Sequence, residues 1–333
     1  MKKQRIGLAL SGGGIRAAIF HLGVLQYLAE AKLYGDIASI STVSGASIAV
    51  GLILGASGNR WPSGDEFIRD TLPTVRQRIL EHNIQRAALR RLPFSPWYWR
   101  NRIALLAKML EDKWQIHGTL QDLPSTPYWE INCTTFETGG NFRFRQDYMG
   151  DSTLGYVQNP TMPLSHVVAA SAAFPVLIGP YILDTYNLKF TPDKHGELPP
   201  VKVQPQYTLW DGGVYDNLGL DPLYTTAKGL DEEIDFLIVS DASANIGYKV
   251  REGHISLSNL RRLLDIAQNQ VNELRGGQIV TNVVNLNRGL YLKIGEDINY
   301  PTTLNSPRPE DFEAIFRNGY TVAKNQAKIF DRP

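Results

Sequence analysis

An α/β architecture built on a mainly parallel sheet is what this 333-residue sequence predicts. Three observations carry it. Short apolar, β-prone runs alternate with helical patterns. The first run feeds a glycine-rich turn that opens a helix. The second feeds a serine-bearing turn that opens another. Strand–turn–helix units of this kind build parallel sheets, because a crossover helix must return the chain to the same end.

The totals agree with a packed globular chain: 43% of residues are hydrophobic and 20% charged, enough apolar content for a substantial core. Formal net charge is +1, so no global field selects nucleic acid or acidic partners. Cys133 is the only cysteine, which excludes an intrachain disulfide and a cysteine-based metal cluster. The apolar run before Ser11 is too short for a signal-peptide core. No run reaches the roughly 18 apolar residues of a membrane-spanning helix. The expectation is a cytoplasmic protein with no metal and no cofactor.

Arg5 to Leu10 reads as a buried strand running into Ser11-Gly12-Gly13-Gly14-Ile15-Arg16. A helix follows from Ala17 to about Ala31. Glycines let backbone N–H groups converge on an anion, so the layout suits a phosphate or an oxyanion. Gly12, Gly14 and Ala17, with Asp36 further on, also fit the dinucleotide fingerprint. The P-loop pattern fails, since no Lys-Ser or Lys-Thr follows the glycines.

Ile37 to Val43 reads as the next strand, and Ser44-Gly45-Ala46-Ser47 as a turn into a helix of small and apolar residues. A nucleophile elbow needs small residues two before and two after its serine. Gly45 and Ala49 satisfy this around Ser47, so the pattern fits Ser47 as an elbow serine, with a tight helix–strand contact as the alternative reading. The glycine loop lies one βαβ unit earlier, so both turns should sit at the carboxyl ends of adjacent strands. The loop can then supply oxyanion donors beside the elbow serine.

Residues 58–115 form an expected insertion. From Arg69 to Arg102 eight Lys or Arg residues face two acids. Arg90, Arg91, Trp97, Trp99 and Arg100 combine cations with aromatic rings, a pattern suited to a membrane–water interface. A packed aromatic loop with a solvated basic face is the simpler alternative. No repeated pattern supports a nucleic-acid polymer as partner.

Trp129–Thr135 and Asn141–Arg145 read as a strand pair turning at Gly139-Gly140. A small-residue helix leads through Ala170-Ser171-Ala172-Ala173-Phe174-Pro175. Gln206–Trp210 is a strand delivering Asp211-Gly212-Gly213, which alone reads as an Asx turn. Ile234–Ser240 is a buried strand, with Asp241 as its turn residue. Leu257–Leu274 is an amphipathic helix with Leu260, Leu263, Leu264, Ala267, Val271 and Leu274 on one stripe. A further strand falls between Gln278 and Leu292, and a closing helix spans Pro309–Phe330. The motif-bearing core is 5–245, and 246–333 is a helical extension of the same single unit.

Taken together, Gly12-Gly13-Gly14-Ile15-Arg16, Gly45-Ala46-Ser47-Ile48-Ala49, Ala170-Ser171-Ala172-Ala173-Phe174-Pro175 and Asp211-Gly212-Gly213 resemble the motif blocks of the patatin-like phospholipases, in family order. Alanine at 49 replaces the family's last elbow glycine. The resemblance implies a three-layer α/β/α fold with a mainly parallel central sheet. It implies a Ser47–Asp211 dyad acting through an acyl-enzyme on phospholipid or lysophospholipid. Gly12, Gly13 and Gly14 would hold the oxyanion, with Arg16 fixing the loop. Peripheral membrane contact would follow from the substrate. The resemblance also admits a ligand-gated effector in antiphage defence, switched by a cyclic nucleotide or by oligomerisation, so a small-molecule activator and a homo-oligomer stay open. A Ser47–Asp211–His254 esterase is a rival, and His21 and His166 read as packing residues.

Overall fold

Ile6–Leu10 is apolar or glycine throughout, and it forms strand β1 with all five residues buried. The structure, a computed structural model, describes residues 4–91, 102–175, 178–243 and 257–327. Helix α1 spans Gly14–Glu30, strand β2 Ile37–Val43 and helix α2 Gly45–Ala56. Strands β1 and β2 pair in parallel, as a βαβ unit requires. The 58–115 region is mainly helical where described, with helices at Leu72–Glu81, Ile84–Arg91 and Arg102–Trp114.

Strands β3 (Tyr128–Thr135), β4 (Asn141–Phe144), β5 (Tyr148–Asp151) and β6 (Gly155–Gln158) form an antiparallel meander. Helix Leu164–Ser171 follows, then β7 (Tyr181–Asp184) and β8 (Gln206–Asp211). A two-residue hairpin, β9 (Tyr224–Thr225) and β10 (Gly229–Leu230), precedes β11 (Phe236–Asp241). Helix Leu257–Ile279, β12 (Gly289–Lys293) and helix Pro309–Gln326 complete the described chain.

The main sheet runs β12-β11-β1-β2-β3-β4-β5-β6. From β12 to β3 every pairing is parallel. Successive side chains on a strand point to opposite faces. Ile6, Leu8 and Leu10 therefore join the large core under α1 and α2, while Ala9 joins a smaller core with Leu237, Val239, Ile279 and Val283. Apolar cores on both faces make the fold three-layered α/β/α, as expected. On one face the Pro309–Gln326 helix crosses α1 at two glycines. A Cβ on Gly319 would stand 2.1 Å from the Phe20 carbonyl, and one on Gly23 the same distance from that of Phe316.

The Leu257–Ile279 helix orients its stripe differently from the usual amphipathic helix. Leu260, Leu263, Val271 and Leu274 face solvent, the last 70% exposed. Its polar face turns inward instead. Gln268 Nε2 donates to the Gly213 carbonyl at 2.9 Å, Asn272 Nδ2 to Ser243 Oγ at 3.0 Å, and Arg275 pairs with Asp216 at 2.8 Å. The surface it covers is itself polar, so hydrogen-bonding groups are what can be buried there.

Candidate active site

The end of β2 sets up the first functional group. Val43 is its last residue, and Ser44 follows with φ 54° and ψ −115°, capping α2. A non-glycine residue in such a conformation is strained. Strand, strained serine and helix in immediate succession have the form of a nucleophile elbow. The Ser44 hydroxyl lies close enough to the Asp211 carboxyl to lower it.

Ser47 is not at the elbow. It is the third residue of α2, fully buried, with its hydroxyl 2.8 Å from both Thr42 Oγ1 and Ser171 Oγ. A helical residue one turn in points back toward the strand that precedes the helix, into the core, and cannot present its oxygen to a substrate. The elbow frame is therefore Thr42-x-Ser44-x-Ala46. Gly45 has a different duty from the one expected. A Cβ there would lie 2.0 Å from the Gly14 carbonyl, so Gly45 lets the elbow press against the glycine loop. Ala49 is an ordinary core residue of α2.

Asp211 reaches Ser44 through strand register. On β3, Asn132 pairs with Val43 of β2, and the next residue, Cys133, pairs with Asp211 of β8. Strand β2 runs parallel to β3 and β8 antiparallel, so their carboxyl ends meet head to head along one edge of β3. Asp211 is buried, and its Oδ1 accepts the Gly213 N–H at 2.8 Å. Burial pushes its carboxyl up to about 6, and hydrogen bonds from Ser44 and Gly213 hold it from rising further. A carboxylate at that value is a competent base near neutral pH.

The glycine loop lies across from this pair. Gly12 N–H donates to the Asn217 carbonyl at 3.0 Å, and Ile15 N–H to that of Thr303 at 2.8 Å. Gly12 thus supplies space rather than a donor, contrary to its expected role. A Cβ on it would stand 2.5 Å from Asn217 Oδ1 and 3.4 Å from Ser44 Cβ. Between these two engaged groups, the Gly13 and Gly14 N–H groups have no hydrogen-bond partner among the described residues. Gly13 at φ 143° and Gly14 at φ 63° take conformations that side chains disfavour, and α1 begins there. Arg16 is buried and donates to the carbonyls of Ala242 at 3.1 Å and Tyr300 at 2.6 Å. Burial lowers its guanidinium to about 10, which still leaves it charged at neutral pH.

Ser44 and Gly14 open onto a cavity of about 710 Å³. Its walls are mainly apolar, with Ile84, Ala88, Leu105, Leu106, Phe174 and Leu304 among them. Gln85 Oε1 ties the Ile84–Arg91 helix to the 300–305 segment by accepting from Thr303 Oγ1 at 2.8 Å and Leu304 N–H at 3.2 Å.

Arg90 is exposed on the Ile84–Arg91 helix, and Arg91 is its last residue. Trp97, Trp99, Arg100 and His254 lie outside the described residues. Asp36 immediately precedes β2, at the opposite end of the sheet from the glycine loop, so the dinucleotide layout does not form. His21 is buried between Ser240 Oγ at 2.8 Å and the Ser11 carbonyl at 2.9 Å, and burial lowers it to about 4. His166 packs edge-on to Tyr181. Asp241 accepts the Ser243 N–H at 2.9 Å and the Tyr291 hydroxyl at 2.6 Å, a turn role.

An elbow serine, a buried aspartate and a glycine loop at adjacent strand ends form the geometry of serine-hydrolase chemistry on an open α/β sheet. The chain belongs to the patatin-like phospholipases: that family's model matches residues 8–224. Among solved structures, human GIVD cytosolic phospholipase A2 is similar over 99% of this chain and 59% of its own, with TM-score 0.60 and 14% identity. The same human enzyme in complex with methyl γ-linolenyl fluorophosphonate gives TM-score 0.56 at 13% identity, over 99% and 58%. VipD from Legionella pneumophila is matched at 18% identity and TM-score 0.45, over 98% of this chain and 67% of VipD. At these identities the likeness to the human enzyme is one of fold, and this chain spans about three-fifths of the human chain. No curated protein matches the chain by sequence.

Proposed function

We propose that this protein is a lipid acyl hydrolase with a Ser44–Asp211 dyad. Ser44 Oγ attacks the ester carbonyl carbon as Asp211 takes its proton. The tetrahedral oxyanion is met by the Gly13 and Gly14 N–H groups and the positive end of α1. The leaving alcohol recovers the proton from Asp211 as the carbon–oxygen bond breaks, leaving an acyl-serine. Asp211 then deprotonates water, which attacks the acyl carbon; as the acyl–Oγ bond breaks, Asp211 returns the proton to Ser44 Oγ, releasing fatty acid and the free serine.

The observation that carries the reading is the elbow serine beside a buried aspartate at the mouth of an apolar cavity. Apolar walls favour an acyl chain, which gains free energy for each methylene removed from water. With the family membership, phospholipid or lysophospholipid is the substrate class, met by peripheral contact with a membrane. Among the described residues no helix is long and apolar enough to cross one. In this reading the core 5–245 carries the chemistry, while the insertion 58–115 and the 246–333 extension wall the acyl cavity.

The test is fatty-acid release from phosphatidylcholine vesicles, with labelling by an alkyl fluorophosphonate. Ser44→Ala and Asp211→Asn should each abolish release while circular dichroism stays native, and Ser44→Ala should take no label. Label remaining on Ser44→Ala and lost on Ser47→Ala would overturn the assignment.

A further inference from the structure

The segment Ser171–Ala173 touches both halves of the dyad. Ser171 Oγ lies 3.0 Å from the Ser44 amide nitrogen, 2.8 Å from Ser47 Oγ and 2.8 Å from the Asn132 carbonyl. The backbone of the same segment holds the base. Asp211 N–H donates to the Ala173 carbonyl at 3.1 Å, and Gly212 N–H to the Ser171 carbonyl at 3.4 Å.

The direction of this hydroxyl chain is fixed by its ends. Trp129 Nε1 can only donate, and it meets Thr42 Oγ1 at 2.9 Å. The Asn132 carbonyl can only accept. Thr42 therefore donates to Ser47, Ser47 to Ser171, and Ser171 to Asn132. The lone pairs left on Ser171 Oγ face the Ser44 N–H and the Ser47 hydroxyl. All of these groups are buried, so none can turn to water instead.

We infer that Ser171 is a positioning residue that sets the distance between Ser44 and Asp211, and that Ser47 orients its hydroxyl for that task. The inference rests on the Ser44–Asp211 reading. Its physical basis is the strain at Ser44. A residue at φ 54° and ψ −115° stays there only if its surroundings hold it. Without Ser171 Oγ, the Ser44 N–H is buried without an acceptor. The peptide then relaxes toward an ordinary conformation and carries Ser44 Oγ away from Asp211. The base stays in place, because its anchors are backbone carbonyls.

The experiment is steady-state hydrolysis of p-nitrophenyl butyrate by the full chain between pH 4.5 and 8. Ser171→Ala should lower kcat about 10- to 100-fold, the scale of a displacement near 1 Å, with KM changed by less than about twofold. The acid limb should also move to higher pH, because the Ser44 hydroxyl that holds Asp211 down is drawn off it. Ser47→Ala should lower kcat by roughly three- to tenfold, since Ser171 keeps its acceptor role but loses its orienting donor. A kcat and acid limb equal to wild type in Ser171→Ala, with only the melting temperature lowered, would overturn the inference. If Ser171→Ala does not fold, Ser47→Ala decides: a reduced kcat with a shifted limb supports it, and wild-type values overturn it. Turnover surviving in Ser44→Ala would instead sink the nucleophile assignment on which both rest.

Discussion

The Asp211 carboxyl is 3% exposed, and burial raises it to about 6 from the ordinary carboxylate range. Hydrolysis should therefore rise with pH through about 6 and level off above 7, read as kcat/KM of a soluble ester. The same shift acts on stability with the opposite sense. A raised carboxyl favours the folded state fully below the unfolded value near 3.9, and that contribution is lost as pH rises through about 6. The loss is about 3 kcal/mol at pH 8 by linkage. Asp211→Asn should consequently be inactive yet more resistant to urea at pH 8, by up to about 3 kcal/mol, with the gain shrinking toward pH 4. Asp211 itself was legible in the sequence, because a strand run delivers it to a Gly-Gly turn. Ser44 was not. The sequence offers two overlapping small-residue frames, and the Ser47 frame has the better glycine. The discriminating fact is mechanical: an elbow nucleophile stands directly at the strand's end, and the run Ile37–Val43 ends one residue before Ser44.

Among the elements, the contact between elbow and glycine loop leaves no room for a methyl group. Gly45→Ala would bring a Cβ to 2.0 Å from the Gly14 carbonyl, a backbone atom that has little freedom to yield. We expect a loss of about 1–3 kcal/mol in chemical denaturation, the range for overpacking, together with a large fall in fluorophosphonate labelling as the loop is displaced. The strands, the crossover helices and the Gly139-Gly140 hairpin could be read from periodicity and turn residues, because local pattern fixes them. The Leu257–Ile279 helix shows where that reading stops. Its leucine stripe was evident, but which face would be covered depends on what lies beneath, and Asp216, Gly213 and Ser243 made the polar face the buried one. Gly12 is similar: its glycine identity was readable, but its N–H goes to Asn217, a partner 205 positions away in the chain, which no local pattern reveals.

For the molecule as a whole, the proposed acyl site joins motif residues to segments distant from them in sequence. The cavity beside Ser44 is walled by the helices at Ile84–Arg91 and Arg102–Trp114 and by the 300–305 segment. Ala88→Trp should occlude it. Release of long acyl chains should drop by roughly 10- to 100-fold, the discrimination an apolar pocket can give, with p-nitrophenyl acetate turnover changed far less. Equal losses on both would show that the cavity does not take the acyl chain.

The head-to-head meeting of β2 and β8 has a consequence for how this architecture tolerates change. The strand ends that carry the proposed dyad are both indexed against β3, at neighbouring residues, and not against each other. The length of chain joining them is therefore irrelevant to the spacing of the two groups. Segments added or removed in the intervening connections cost only slowly growing loop entropy. A flexible insertion after Gly196, in the exposed stretch before β8, should leave kcat near wild type. One residue inserted within β8 should abolish it, because a single step of register turns the Asp211 side chain to the other face of the sheet. The sheet thus works as a ruler, and everything hung between its marks is free to vary in length.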